Sequence, residues 1–232
     1  MKNINIKDLE IISEISTGSY AVIKKCKYKG KIYAYKEFYQ PKEFLTDKSI
    51  KKFDKLSKEK ESYIVSPIII VEEDKEKTGY LTDYVEGKSI DTLKNEKQNV
   101  IIEALSKAEI NLQKMHNLGI IHGDIHHLNI INSRFIDFDN CYYKNIKPNY
   151  KYLSKYAQEF IRKYGFCEEL DIAMFNLLTY YMLTNISYNY VIENIKEENY
   201  SIFENTEQRT ICKNLLLQDE EPTKKLLINT LK

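Results

Sequence analysis

Two stretches of the sequence decide its interpretation: His-Gly-Asp-Ile-His-His-Leu-Asn at residues 122–129 and Phe-Ile-Asp-Phe-Asp at residues 135–139. Carboxylates, imidazoles and an amide alternate with apolar residues in the first stretch, and carboxylates do so in the second. This alternation predicts very short, half-buried strands and polar turns. Because charged groups in such surroundings need partners, ions or ligands, this region is the first candidate for a functional site.

Three interpretations of these residues are open at this point. The first is a solvated turn whose polar groups cap the neighbouring backbone. The second is a transition-metal site on His122, His126 and His127, although the intervening glycine disfavours the helical face that histidines four apart require. The third is phosphoryl transfer, in which an aspartate orients the attacking hydroxyl, while Asn129 and Asp137 supply the oxygen ligands that Mg²⁺ prefers.

Composition and charge argue against several classes of protein. The chain has 35 basic and 34 acidic residues and a net charge of +1, which gives no nucleic-acid or membrane signal. Its 4 cysteines are scattered without a Cys-x-x-Cys motif, as is usual in a reducing cytosol. The most apolar windows, 65–71 and 120–136, are shorter or more interrupted than the roughly 20 residues that span a bilayer. We therefore predict a cytoplasmic protein that has neither a nucleic acid nor a membrane as a partner.

The secondary-structure signals change character near Gly87. Up to that point, strand patterns surround one helical segment with Asp47 as its N-cap, and beyond it helical patterns dominate. This predicts an α+β fold with a small, five-stranded antiparallel lobe containing one helix at 1–83, a hinge at 84–90 and a mainly helical lobe at 91–232. The predicted strands are 11–15, 21–27, 32–38, 68–72 and 79–85, and the predicted helices are 47–61, 100–116, 170–184, 188–195 and 207–217.

The order and spacing of the motifs resemble the protein kinase-like superfamily nearly from end to end. Residues 122–124 followed by Asn129 resemble its catalytic loop, and residues 137–139 resemble its magnesium-binding Asp-Phe-Gly element. The resemblance implies a bilobal fold that uses ATP and Mg²⁺. It also implies that Asp124 accepts the proton of the substrate hydroxyl and that Asn129 and Asp137 hold Mg²⁺.

The first predicted lobe resembles the ATP-binding lobe of that superfamily. Residues 16–23 occupy the place of the glycine-rich loop, Lys36 that of the phosphate-pairing lysine, and residues 82–87 that of the hinge. Only one glycine of the loop is present. The residues that the resemblance implies for ATP binding are Ser16, Gly18, Ser19, Ala21, Ile23, Ala34, Lys36, Thr82, Asp83, Val85 and Asp137.

Two departures from the protein kinase pattern concern the substrate. His126 stands two residues after Asp124, where protein kinases usually have a lysine, and Gly123 replaces an arginine. His126 in this place resembles the aminoglycoside phosphotransferase and choline kinase branch. We therefore group His126 with Lys36, Asp124 and Asn129 as the catalytic candidates.

Three further residues are predicted to have structural roles. The lysine of this superfamily usually pairs with a helix glutamate, and the acid nearest to that position here is Asp54. Glu159 resembles the glutamate of the Ala-Pro-Glu element. Asp171 resembles the helix aspartate that braces the catalytic loop, and Asp139 stands where the superfamily usually has a glycine.

From these motifs we predict a compact, bacterial-type kinase that transfers phosphate from ATP to Ser or Thr hydroxyls of a protein substrate. One alternative is a small-molecule hydroxyl kinase, favoured by Gly123 and His126. The other is a non-catalytic, nucleotide-binding pseudokinase scaffold, favoured by the lost glycines and the missing helix glutamate. The sequence indicates no particular oligomeric state.

Overall fold

A computed structural model of the chain describes residues 1–184, 186–200, 202–203 and 205–231. These residues form the predicted α+β fold, with seven α-helices and a mixed six-stranded sheet among them. The chain divides into two compact units, and the main boundary, between Glu86 and Gly87, falls inside the segment predicted as a hinge. The first unit comprises Met1–Glu86, Ile136–Asp139 and Tyr143–Pro148, and the second comprises Gly87–Phe135, Asn140–Tyr142 and Asn149–Lys232.

The sheet of the first unit has the strand order β1-β6-β7-β4-β3-β2. Its neighbours pair antiparallel, except for β1 and β6, which run parallel. A further short strand, β5, precedes β6 in the chain. The bounds are β1 (Lys2–Asn5), β2 (Glu10–Thr17), β3 (Ala21–Tyr28), β4 (Lys31–Phe38), β5 (Ile64–Val65), β6 (Ile69–Glu73) and β7 (Glu76–Asp83).

The sheet differs from the prediction in its sixth strand, β1. Only Ile4 of this strand is buried, and its flanking residues are polar. Its partner β6 runs parallel to it, with Lys2 opposite Ile69. Because parallel strands are not joined by a tight turn, the sequence contains no turn signal that would predict this pairing. The sheet is therefore mixed rather than antiparallel throughout.

The strand β2 forms one edge of this sheet, and every residue of it is exposed. Three of its side chains are large and apolar, namely Ile11, Ile12 and Ile15, which are 45–48% exposed. Its pairing with β3 is interrupted by two register shifts, between Ile11 and Ser13 and between Glu14 and Ser16. The edge is consequently bent rather than flat.

Two helices, rather than the predicted one, follow β4: α1 (Pro41–Phe44) and α2 (Asp47–Leu56). The N-cap of α2 is Thr46, whose Oγ1 accepts a hydrogen bond from the Ser49 N–H at 3.2 Å, so the predicted cap at Asp47 is wrong by one residue. The helix ends five residues before the predicted end. Lys60, with φ 41°, lies in the left-handed region, which a helix cannot contain.

The second unit is mainly helical and is organised around α5. Of its 16 residues, 12 are buried, because α5 packs against α3, α4, α6 and α7. The bounds are α3 (Gln98–Asn117), α4 (Lys155–Tyr164), α5 (Glu168–Leu183), α6 (Val191–Lys196) and α7 (Thr206–Asn214). The remaining short strands are β8 (Ile120–Ile121), β9 (Ile130–Ile131), β10 (Arg134–Ile136) and β11 (Tyr142–Tyr143). Short 3-10 helices occur in both units, at Ile6–Asp8, Ile90–Leu93, Phe138–Asn140, Tyr150–Tyr152, Tyr188–Tyr190 and Leu227–Thr230.

None of the helices in the described part of the chain combines the length and the apolar character that crossing a bilayer requires.

Candidate functional site

Lys36 lies on β4 in the first unit and is held by two carboxylates. Its Nζ is 2.6 Å from Asp137 Oδ1 and 2.6 Å from Asp139 Oδ2. Burial by itself lowers the pKa of Lys36, but the charges of the two aspartates outweigh burial and raise the pKa above its ordinary value. Lys36 is therefore an ammonium ion in contact with the residue predicted to bind Mg²⁺.

The backbone at Asp137 has an unusual conformation. Its φ of 64° lies in the left-handed region, which non-glycine residues adopt at some cost and which aspartate and asparagine tolerate best. The ion pair with Lys36 is a tertiary contact that helps to stabilise this conformation. Such backbone strain is frequent where a side chain must be presented to a ligand.

Two residues that sequence reasoning missed complete this cluster. The hydroxyl of Tyr80 donates a hydrogen bond to Asp139 Oδ1 at 2.6 Å, and Lys52 Nζ donates to the backbone carbonyl oxygen of Asp139 at 2.7 Å. Both residues are buried, Tyr80 on β7 and Lys52 on α2. The available signal was the position of Lys52 next to Phe53, a residue of the apolar stripe of the predicted helix, but a lysine beside such a stripe is usually exposed.

The predicted ATP-binding residues of the first unit lie on adjacent strands. Across β2, β3 and β4, Ser16 pairs with Ile23 and Ile23 pairs with Lys36. On the other side of β4, Lys36 pairs with Tyr80 of β7. These pairings place the predicted phosphate-pairing lysine in one row with two residues of the predicted glycine-rich loop.

The turn between β2 and β3 contains the other loop residues. The N–H of Gly18 donates to the carbonyl oxygen of Ala21 at 2.9 Å and closes the turn, while Ser19 is exposed. A Cβ added at Gly18 would meet that same oxygen at 3.5 Å, which is an ordinary contact. The turn therefore keeps its shape without the additional glycines of the superfamily pattern.

The predicted hinge residues begin at the end of β7. Ala34 of β4 pairs with Thr82, which places the two beside each other in the sheet. Asp83 is exposed, and its Oδ1 accepts a hydrogen bond from Lys31 Nζ at 2.6 Å. Val85 is half-buried in the segment that follows β7.

Asp54, predicted as the partner of Lys36, has other contacts in the structure. Its Oδ1 is 2.6 Å from the Met1 amino group, and its Oδ2 is 2.7 Å from Lys58 Nζ. These two cations lower the pKa of Asp54 to about 2. The prediction placed the acid by its spacing from Lys36, but the buried face of α2 at this point presents Lys52, while Asp54 lies on another face.

In the second unit, Asp171 holds the loop that contains Asp124. It lies in the first turn of α5, is fully buried, and accepts hydrogen bonds from the backbone N–H groups of His122 at 2.7 Å and Gly123 at 2.8 Å. His116 Nε2 lies 3.0 Å from Asp171 Oδ2. Sequence reasoning selected Asp171 for this bracing position but missed His116.

The predicted catalytic residues of the same loop are close to one another. Asn129 Nδ2 donates to the backbone carbonyl oxygen of Asp124 at 2.9 Å, and the Asn129 N–H donates to the His126 carbonyl oxygen at 3.0 Å. The Nδ1 atom of His126 accepts from the Leu128 N–H at 3.2 Å. These bonds close residues 124–129 into a compact turn.

An aromatic cluster packs beside this turn and was not predicted as part of the site. Tyr188 packs against His127 and Tyr181, with ring centroids 4.8 and 5.2 Å apart, and lies 6.5 Å from the His126 ring. Burial and then the nearby Asp124 carboxylate raise the pKa of the Tyr188 hydroxyl. The cluster thus joins His127 of the loop to Tyr181 and Tyr188 from a later part of the chain.

Gly123 has a conformation and a packing environment that require glycine. Its φ is 75°, and a Cβ at this position would lie 3.0 Å from the Asn140 carbonyl oxygen and 3.2 Å from Phe166 Cζ. The structure thus gives a physical reason for the absence of the arginine that the superfamily pattern has here.

We expect Gly123→Ala to lower the free energy of unfolding by about 2 kcal/mol, because the left-handed conformation costs an L-residue roughly 1–2 kcal/mol and the close contacts add to it. Urea unfolding measures this. Gly119→Ala is the matched control, since Gly119 has φ 70° but nothing within 4 Å of an added Cβ. Equal losses in the two variants would show that crowding at Gly123 contributes nothing.

The His116–Asp171 contact makes stability depend on pH. Burial lowers the pKa of His116, but the hydrogen bond and charge of Asp171, together with Glu168 and Glu169, raise it above the ordinary 6.5. The stabilisation is therefore complete below about pH 6.5 and is lost as the pH rises through the higher folded-state pKa. We expect the free energy of unfolding to fall over that interval in the wild type and to fall less in His116→Gln, as measured by urea titrations at a series of pH values.

Glu159 lies on α4 and is exposed. The helix begins at the N-cap Ser154, whose Oγ accepts from the Ala157 N–H at 3.2 Å. The structure therefore places Glu159 on a regular helix with its side chain exposed.

The two candidate metal ligands lie in different units: Asp137 belongs to the first unit and Asn129 to the second. Among the described residues, no three His, Cys, Asp or Glu side chains are grouped so that they could hold a metal ion. A carboxylate and an amide oxygen are the donor types that Mg²⁺ accepts, and Mg²⁺ commonly takes its other ligands from water and substrate phosphates. Each of the two side chains, taken separately, is therefore of a donor type that suits Mg²⁺ better than a transition metal.

No protein-family model matches this chain, and no curated protein matches it.

Proposed function

We propose that this protein is an ATP- and Mg²⁺-dependent phosphotransferase with a bilobal, protein kinase-like fold, and that it phosphorylates Ser or Thr hydroxyls of a protein substrate. The observation that carries the proposal is the ion pair between Lys36 and Asp137 at 2.6 Å. These two residues are 101 positions apart, and the resemblance of the motifs assigns Lys36 to the phosphates and Asp137 to Mg²⁺. The ion pair brings together the two side chains that the motifs assign to the same ligand, ATP with its Mg²⁺.

The proposed roles follow from the chemistry of the side chains. Lys36 binds the α- and β-phosphates of ATP, and Asp124 accepts the proton of the attacking hydroxyl. Asn129 and Asp137 hold Mg²⁺, which supplies positive charge to the transferred phosphoryl group. Asp171 supports this assignment, because it fixes the backbone N–H groups of His122 and Gly123, the two residues before Asp124.

A small-molecule hydroxyl kinase is the second candidate function. It is favoured by His126, whose ring lies 6.5 Å from that of Tyr188 in the aromatic cluster beside the 124–129 turn. An imidazole close to an aromatic ring is a combination that suits a compact organic acceptor. The two candidates differ only in the acceptor of the phosphate.

The test is phosphate transfer from ATP that is radiolabelled in the γ-phosphate, with and without Mg²⁺. The acceptors are general protein substrates, such as casein, and a panel of small alcohols that includes choline and aminoglycosides. Label in protein Ser or Thr supports the proposal, and label only in small molecules supports the second candidate. Binding of ATP without transfer to any acceptor would contradict both and favour the scaffold.

A further inference from the structure

The two ion pairs of Lys36 differ in how far the carboxylate is exposed to solvent. Its two carboxylate partners lie at the same distance of 2.6 Å, but the Asp139 side chain is 9% exposed, whereas that of Asp137 is 32% exposed. An ion pair gains strength as water is removed from it. Asp139 is thus the deeper partner of Lys36, while Asp137 is the one that faces solvent.

Asp139 is itself fixed from two further directions. Its Oδ1 accepts from the Tyr80 hydroxyl, and its backbone carbonyl oxygen accepts from Lys52 Nζ. Because Tyr80 and Lys36 are paired residues on adjacent strands, the Asp139 carboxylate bridges two neighbours of one sheet. A carboxylate with both oxygens engaged in this way has little freedom to leave Lys36.

The acids near α2 are engaged elsewhere. Asp54 contacts the Met1 amino group and Lys58. Glu59 accepts from the Tyr143 hydroxyl and lies 3.2 Å from Lys144 Nζ. In the described structure, the buried polar residue that α2 directs at this cluster is a lysine, Lys52.

We infer that Asp139 is the positioning residue for Lys36 and takes the place of the missing helix carboxylate. The inference rests on the proposed function for its catalytic consequence, but not for the contact itself. The two aspartates then have different roles: Asp139 keeps Lys36 in place, and Asp137 holds Mg²⁺. Lys36 would thereby stay anchored when Asp137 exchanges its ion pair for the metal.

The first test needs no activity. Urea unfolding midpoints of the full chain are measured for Lys36→Met, for the isosteric Asp139→Asn and for the double variant. We expect the midpoint shift caused by Asp139→Asn to be clearly smaller when Lys36 is already replaced. The matched control is Asp54→Asn, whose shift should be the same in both backgrounds. Coupling of Lys36 to Asp54 but not to Asp139 would overturn the inference.

The second test separates positioning from metal binding. With ATP and Mg²⁺, Asp139→Asn should lower kcat/KM by about 10²-fold through a higher KM for ATP and a lower kcat, because a small displacement of a phosphate-binding group has an effect of that order. Asp139→Glu, which keeps the charge, should recover part of the loss, and Asp54→Asn should be normal.

The magnesium dependence provides the decisive contrast. The Mg²⁺ concentration for half-maximal activity should be unchanged in Asp139→Asn and raised in Asp137→Asn. An equal rise in both variants would make Asp139 a metal ligand and overturn the inference. If the wild type transfers no phosphate, the proposed function fails, and the unfolding cycle still decides whether Asp139 holds Lys36.

Discussion

Replacement of Asp124 by alanine should lower the rate of phosphate transfer by about 10²–10⁴-fold, which is the usual contribution of a general base. The variant should fold normally, because the contacts that hold its loop use the backbone. The Asp124 carbonyl oxygen accepts from Asn129, and the preceding peptide is bound by Asp171. Truncation at Cβ leaves these bonds in place.

The measurement is steady-state transfer with the acceptor identified by the radiolabel experiment. Asp47→Ala is the matched control, because Asp47 is a fully exposed carboxylate at the start of α2 and should leave the rate unchanged. An Asp124→Ala protein with wild-type turnover and an intact unfolding transition would exclude Asp124 as the base.

Asp171→Ala should have the largest effect on stability, a loss of about 3–5 kcal/mol in the free energy of unfolding. The change removes a fully buried carboxylate and leaves the backbone N–H groups of His122 and Gly123 without their acceptor. Each buried donor without a partner costs about 1–3 kcal/mol. Since a domain is typically stable by about 5–15 kcal/mol, this is a substantial part of the total.

Urea unfolding measures this loss, and Glu168→Ala is the control. Glu168 lies in the same first turn of α5, but its side chain is 54% exposed, so its replacement should change stability little. A loss below about 1 kcal/mol in Asp171→Ala would mean that the loop backbone finds other acceptors, and it would refute the bracing role.

Lys36, Asp137 and Asp171 were selected through the resemblance of the whole set of motifs. The local pattern by itself marked only the segment around Asp137, where carboxylates alternate with apolar residues. The α+β class followed in the same way from local strand and helix periodicities. What these residues contact could then be proposed only through the resemblance of the whole set.

The features that the sequence did not reveal all depend on distant partners. Tyr80 and Lys52 reach Asp139 over sequence separations of 59 and 87 residues, and nothing near either one marks it as polar core. Asp54 was selected by counting along the chain, although helix rotation decides which side chain faces the sheet. The parallel strand β1 was missed because its partner lies more than sixty residues away.

The bent edge strand β2 has a consequence for the behaviour of the protein in concentrated solution. Three exposed isoleucines on an unpaired edge would make a straight strand a template for pairing with another copy. The two register shifts distort the hydrogen-bonding groups along that edge, and Glu10 and Glu14 place negative charge on it. We therefore expect the irregular pairing of β2 to disfavour edge-to-edge pairing with a second copy, although the strand is apolar and accessible.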